Sequence, residues 1–136
     1  MADIRFEVRP IGWVQSPLRD PELAPKQGDE GAPDAWIEFR PEVLAGLKDL
    51  RVDTDIILLT WLDRADRSRL VVHPRDDPDR PPTGVFSTRS ADRPNPIGLH
   101  RVRLAAIEGN RILVHNLEAV DGTPIVDVKP LRAPTS

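Results

Sequence analysis

The sequence predicts a mainly β protein, a small closed antiparallel barrel carrying one short helix. Three observations lead there. Six to eight short apolar or alternating runs follow one another with no helices between them, the pattern of antiparallel rather than crossover-connected strands. Fifteen prolines in 136 residues exclude long helices, because an interior proline costs a helix about 3 kcal/mol. A sheet this small buries both its apolar face and its edges by closing on itself.

The elements follow in order. Ile4–Gln15, "IRFEVRPIGWVQ", alternates polar and apolar residues and reads as a strand interrupted near Pro10. Residues 17–35 hold five acidic residues and four prolines and form a long loop. Trp36–Phe39 is a short strand. In "RPEVLAGLKDL" Val43, Leu44, Leu47 and Leu50 recur at helical spacing behind Pro41, a residue suited to a first turn. Asp55–Leu62, "DIILLTWL", is the apolar run of a central strand, and "SRLVVH" (68–73) is another strand. Gly84–Ser87 is a brief strand before a proline-rich segment. Two strands around Gly109-Asn110 form a hairpin. "DGTP" (121–124) is a turn, "IVDVKP" (125–130) the last strand, and residues 130–136 a frayed tail. The length fits a single domain over residues 1–136.

Composition removes several classes of function. No cysteine is present, so disulfides, thiolate metal sites and thiol nucleophiles are absent. His73, His100 and His115 are scattered without ligand spacing, so no metal is expected. Ser87 and Ser90 lack a G-x-S-x-G elbow, and no phosphate-binding glycine loop or G-x-G-x-x-G is found. The opening "MADIRFEVRP" is no signal peptide, and no apolar run nears the ~18 residues of a membrane span. A soluble, cytoplasmic protein with no membrane partner is the expectation. The net charge of −3 excludes a uniformly basic coat. Residues 89–111 nevertheless carry five arginines against Asp92 and Glu108, a local patch suited to phosphates.

Four segments carry candidate chemistry. In "GVFSTRSADRPNPIGL" (84–99) Pro94 and Pro96 fix their own φ and push Arg93 and Asn95 out of helical geometry, while Gly98 permits a close approach or positive φ. Arg89 and Arg93 thus sit on a pre-organised loop, either to grip a ligand or as solvated arginines of a rigid turn. "APKQG" (24–28) offers a flexible cation and an amide on a long loop. Asp63 and Arg64 follow the central strand. Asp127 and Lys129, at i and i+2, share a strand face, where they form a surface ion pair or line a pocket.

Taken in order, "PKQG", "GVFSTRSADRPNPIGL" and "DGTPIVDVKP" resemble the TrmO family (the TsaA-like domain) of tRNA methyltransferases, from about Ile11 to Pro130. The resemblance implies a single-sheeted antiparallel β-barrel with one or two short helices. It also implies a homodimer that holds S-adenosylmethionine (SAM) near the subunit boundary. The implied reaction methylates N6 of threonylcarbamoyladenosine at position 37, in the anticodon loop of tRNA. Carried over by position, Pro25, Lys26, Gln27, Asp63, Arg64, Arg89, Arg93, Leu99, Asp121, Gly122, Thr123 and Pro124 would contact the cofactor. Arg93, Asp127 and Lys129 would serve catalysis. Asp63 stands where the family often has His, and Leu131 where it has Tyr. Two other readings stay open: a barrel that binds SAM without catalysis, and a methyltransferase for another small acceptor.

Overall fold

The computed structural model describes residues 3–20, 31–74 and 77–132. Six strands close into one antiparallel barrel in the order β1 (Gly12–Gln15), β2 (Ala35–Phe39), β7 (Arg111–His115), β6 (Ile97–Glu108), β3 (Asp55–Trp61) and β8 (Pro124–Pro130). β1 pairs with β8, Gly12 opposite Ile125, and this pairing shuts the ring. β4 (Val71–Val72) and β5 (Thr83–Gly84) form a separate two-stranded ribbon.

Alternation sets the two faces of each strand. Ile56, Leu58 and Thr60 of β3 point inward, with Gly98, His100, Val102 and Leu104 of β6 beside them. Ile37, Ile112, Val114, Leu117 and Ile125 complete a core with no measurable exposure. Register shifts occur between Leu59 and Thr60 against β8, and between Leu104 and Ala106 against β7. Such bulges bend and twist a sheet, which helps it to close.

Several elements differ from the sequence expectation. The first strand begins at Gly12, not Ile4. Residues 4–10 are not in a strand, and Ile4, Phe6 and Val8 remain 67%, 88% and 55% exposed. The helix after β2 is a 3₁₀ helix, Pro41–Leu47, with no side-chain cap at Arg40. Its apolar side packs Val43, Leu44 and Leu47 against the barrel. The run at 68–73 yields only the two residues of β4, outside the barrel. Gly84–Ser87 is not one strand: Gly84 ends β5, and Val85–Ser87 turn into a second 3₁₀ helix. The hairpin at Gly109-Asn110 forms between Glu108 and Arg111.

Candidate functional site

Three of the marked segments meet at one end of the barrel, beside the start of the 17–35 loop. The segment after β5 is held by a ladder of hydroxyl groups. Thr88 Oγ1 donates to the Val85 carbonyl at 2.9 Å, Ser90 N–H to Thr88 Oγ1 at 3.1 Å, and Asp92 N–H to Ser90 Oγ at 3.2 Å. Arg93 Nη2 donates to the carbonyls of Val85 and Thr88, the latter at 2.9 Å. The rigidity written in the prolines is therefore completed by short polar side chains. Arg93 is partly buried and holds its own loop, whereas Arg89 is exposed.

The loop after β3 docks on this segment. Leu62 N–H donates to the Pro96 carbonyl at 2.8 Å, and Asp66 N–H to Asp92 Oδ1 at 2.8 Å. Arg67 clamps the prolines, with Nε to the Pro94 carbonyl at 2.7 Å and Nη2 to Asn95 Oδ1 at 3.1 Å. Its guanidinium also lies over Trp61, 5.2 Å from the ring centre, an attraction of about 0.5–1 kcal/mol at an exposed site. Asp66 accepts from Ser68 N–H and Oγ at 2.9 and 2.6 Å. These bonds, the hydroxyl's first, hold its carboxyl below the ordinary carboxylate value. Asp63 and Arg64 are exposed, and Arg64 Nη1 donates to the Arg19 carbonyl at 3.1 Å.

The D-G-T-P turn braces the same end. Asp121 Oδ1 accepts from Ser16 N–H at 3.0 Å, and Asp121 N–H donates to the Leu18 carbonyl at 2.6 Å. Gly122 has φ +81°, a left-handed conformation that favours glycine. Thr123 is buried, with Oγ1 donating to the Val120 carbonyl at 2.7 Å. Asp121 and Arg64 thus both fasten the first residues of the 17–35 loop. Pro25, Lys26 and Gln27, further along that loop, lie outside the described residues.

A groove of about 750 Å³ opens between these elements. Trp61, Asn95, Ile97, Pro124 and Val126 line it with Arg67, and the arm residues Ile4, Phe6 and Val8 form its other wall. Its volume and its mix of apolar walls with a few polar groups suit a small organic ligand. A smaller hollow of about 380 Å³, between Trp13, Glu38 and Arg40, is lined by none of the marked segments.

The remaining candidates lie on the outer wall. Leu99, 46% exposed, pairs with Leu59, which in turn pairs with Asp127. Lys129 pairs with Ile57 and binds Asp127 Oδ2 at 3.0 Å. Of the two readings of Asp127 and Lys129, the structure shows the ion pair, half exposed. At the far end of this wall Asp55 binds Arg101 at 2.8 Å and Arg103 at 3.2 Å. The Arg101 hydrogen bond is the largest cause holding the Asp55 carboxyl below its ordinary value.

Sequence reasoning missed Trp61, Arg67, Asn95 and Val126 as lining residues. Asn95 and Val126 lie inside the R-P-N-P-I-G and D-G-T-P-I-V-D-V-K-P motifs, and Trp61 and Arg67 lie with Asp63 and Arg64 in the stretch "TWLDRADR" (60–67), so all four stood in segments of interest; what no local pattern shows is that Arg67 reaches Pro94 and Asn95. It also missed His100, which the barrel encloses. Among the described residues no group of three or more His, Asp or Glu is placed to hold a metal, and no helix is long and apolar enough to cross a membrane.

The chain is 40% identical over 130 residues to a probable S-adenosyl-L-methionine-binding protein of Methanothermobacter thermautotrophicus, covering 96% of this chain and 93% of the relative. An S-adenosyl-L-methionine-binding protein of Archaeoglobus fulgidus is 42% identical over 123 residues, 90% of this chain and 86% of the relative. A second A. fulgidus relative, a probable S-adenosyl-L-methionine-binding protein, is 44% identical over 124 residues, 91% of this chain but 33% of that protein. Two crystal structures of TrmO from Pseudomonas aeruginosa superpose with TM-scores of 0.75 and 0.71 at 30% identity. They match 95% of this chain, which spans 55% and 57% of theirs. The sequence pattern of the tRNA-methyltransferase O N-terminal domain matches residues 13–134, and the chain belongs to that family.

Proposed function

We propose that the protein binds SAM at the loop-bearing end of the barrel and transfers its methyl group to N6 of threonylcarbamoyladenosine at position 37 of tRNA. The observation that carries the reading is the groove itself. Residues from the R-P-N-P-I-G segment, the end of β3 and the D-G-T-P turn meet around it. Its donor set fits the cofactor: Trp61, Ile97 and Val126 offer apolar surface for adenosine, and Arg67 and Asn95 offer polar contacts at the rim. Asp63 and Arg64, two and three residues past the groove-lining Trp61, are exposed charges of both signs that an amino-acid end could meet. The relatives described as SAM-binding proteins support the same choice.

SAM supplies, when bound, an activated methyl group. The chain's part is to position the acceptor, and orientation alone lowers a barrier by about 7–11 kcal/mol. Arg93 fixes the loop that carries Arg89, whose exposed guanidinium is available to the acceptor's carbonyl oxygen or to a tRNA phosphate. Lys129 adds positive charge on the outer wall. Asp127 or Asp63 would accept the proton that N6 loses.

A homodimer belongs to the same reading. Ile97 and Leu99 are 45% and 46% exposed on the outside of β6, next to Leu59 and Trp61 of β3. Ile4, Phe6 and Val8 add apolar surface across the groove. A barrel exterior facing water is ordinarily polar, so this wall suits a second copy, which would place the groove at the subunit boundary.

Titration calorimetry with SAM and with its demethylated product tests the cofactor. Micromolar binding at one site per chain supports the reading, and no heat at several temperatures overturns it. Methyl transfer to tRNA carrying threonylcarbamoyladenosine, with affinity that falls steeply with salt, supports the acceptor. Transfer to a small acceptor only, or none with SAM bound, favours one of the two alternatives. Light scattering that gives a single-chain mass overturns the dimer.

A further inference from the structure

One buried polar cluster takes no part in the proposed chemistry. Inside the barrel, His100 Nε2 lies 2.7 Å from Thr60 Oγ1, and His100 Nδ1 lies 2.5 Å from Glu118 Oε1. Thr60 is fully buried, and the His100 and Glu118 side chains are 5% and 16% exposed. An ionised carboxylate only accepts hydrogen bonds. Nδ1 therefore donates toward Glu118, and the second ring nitrogen meets the threonine hydroxyl. The bonds join Thr60, His100 and Glu118 in one chain, and among the described residues no buried side-chain polar atom lacks a partner.

Its three members sit just behind the segments that frame the groove. Thr60 is one residue before Trp61 and four before Arg64. His100 follows Leu99, two residues past Gly98. Glu118 lies three residues before Asp121. Gly98 belongs to the same cluster. It pairs with Thr60 across the ladder, and a Cβ at Gly98 would fall on Thr60 Oγ1 and 2.7 Å from His100 Nε2. The glycine of the P-I-G motif is thus explained by room for this hydrogen bond, and not by a positive φ, which it does not have.

We infer that Glu118, His100 and Thr60 are positioning residues: one hydrogen-bonded chain that locks the end of β3, the start of β6 and the approach to the D-G-T-P turn in fixed relation. None of them touches the groove; they act through Trp61, Ile97 and Pro124. The significance for the proposed SAM site rests on the preceding reading, but the mechanical claim does not. Directional bonds in a low-dielectric interior suit this task, because a slipped strand would leave a buried imidazole and carboxylate unpaired.

The test compares Thr60→Val, which keeps shape and removes the hydroxyl, with Thr60→Ser, which keeps the hydroxyl. Amide hydrogen exchange is read at Leu62 and Asp121, whose N–H groups bond Pro96 and Leu18 across the site, and at Asp53 and Leu104 at the other end. In Thr60→Val exchange at Leu62 and Asp121 should rise about tenfold or more, while Asp53 and Leu104 change less and Thr60→Ser stays near wild type. SAM affinity should fall by a similar factor in the valine variant and recover in the serine variant. Equal acceleration at all four amides, or none, overturns the inference and leaves the cluster as core filler. Should Thr60→Val not fold, Glu118→Ala, which removes the acceptor for His100 Nδ1, is read at the same amides with the same two outcomes. If wild-type protein fails to bind SAM, the functional reading fails while exchange still decides the positioning claim.

Discussion

Along β2, β7 and the second half of β6 the inward positions are Ile37, Ile112, Val114 and Leu104, whereas at the end of β3 and the start of β6 they are Thr60, Gly98 and His100. The same closed sheet is filled by apolar packing in one region and by a hydrogen-bonded cluster in the other. Apolar packing is non-directional and tolerates changes that conserve volume. A buried hydrogen-bond chain permits one arrangement, and departures from it leave polar groups unpaired. The region that needs only stability uses the first device, and the region that carries the loops uses the second.

The largest effect that would sharpen this contrast is expected in the apolar region. Ile112→Ala, at a side chain with no exposure, should lower stability by about 2–5 kcal/mol, and Ile112→Val by only about 0.5–1.5. Urea unfolding checks both, and SAM affinity well below the transition should be unchanged. Gly98→Ala should cost somewhat less, about 1–3 kcal/mol, since the added methyl group meets Thr60, His100 and Leu62. Unlike the isoleucine variants it should also lose SAM binding. A folded Gly98→Ala protein with wild-type affinity would break the contrast.

Arg93→Ala comes next. Removing the guanidinium frees the carbonyls of Val85 and Thr88 at a partly buried site, a loss of about 1–2 kcal/mol. The melting temperature should fall by a few degrees, while turnover on tRNA drops far more than stability explains. Unchanged turnover would reject the loop's role.

The smallest effect lies at the far end of the outer wall. Arg101, with help from Arg103, holds the Asp55 carboxyl below its ordinary value. A depressed folded value means that the unfolded chain takes up the proton first. The contribution is thus fully present above the unfolded value of about 3.9 and is lost as pH falls through the folded one. Asp55→Asn should flatten the acid limb of the stability curve below about pH 4 and leave SAM affinity untouched.

The barrel was legible because alternation and proline placement report directly on strands. Leu58, Val102 and Ile125 each sit where period-two reading puts them. Alternation at Ile4, Phe6 and Val8 marks an extended chain but not whether a partner strand exists, and the structure begins its first strand only at Gly12. The 3₁₀ turn at Val85–Ser87 depends on Thr88 and Arg93 reaching back to carbonyls, contacts that no local pattern announces. His100 was visible in principle: it stands in the inward series Gly98, His100, Val102, Leu104. Read as one of three scattered histidines, it showed no ligand spacing, and its partners lie 40 and 18 residues away. The same long range hid Arg67, whose contacts with Pro94 and Asn95 exist only once two loops meet.

The central claim, that the loop-bearing end of the barrel binds SAM, is tested most directly by following backbone amide resonances as SAM is added to the full chain. Shifts should be confined to Ile4–Val8, residues 24–28, Trp61–Arg67, Arg89–Leu99 and Asp121–Val126, with the β2–β7 pair and the Trp13–Arg40 hollow unmoved. Shifts centred on Trp13, Glu38 and Arg40, or no shifts at saturating SAM, would contradict it.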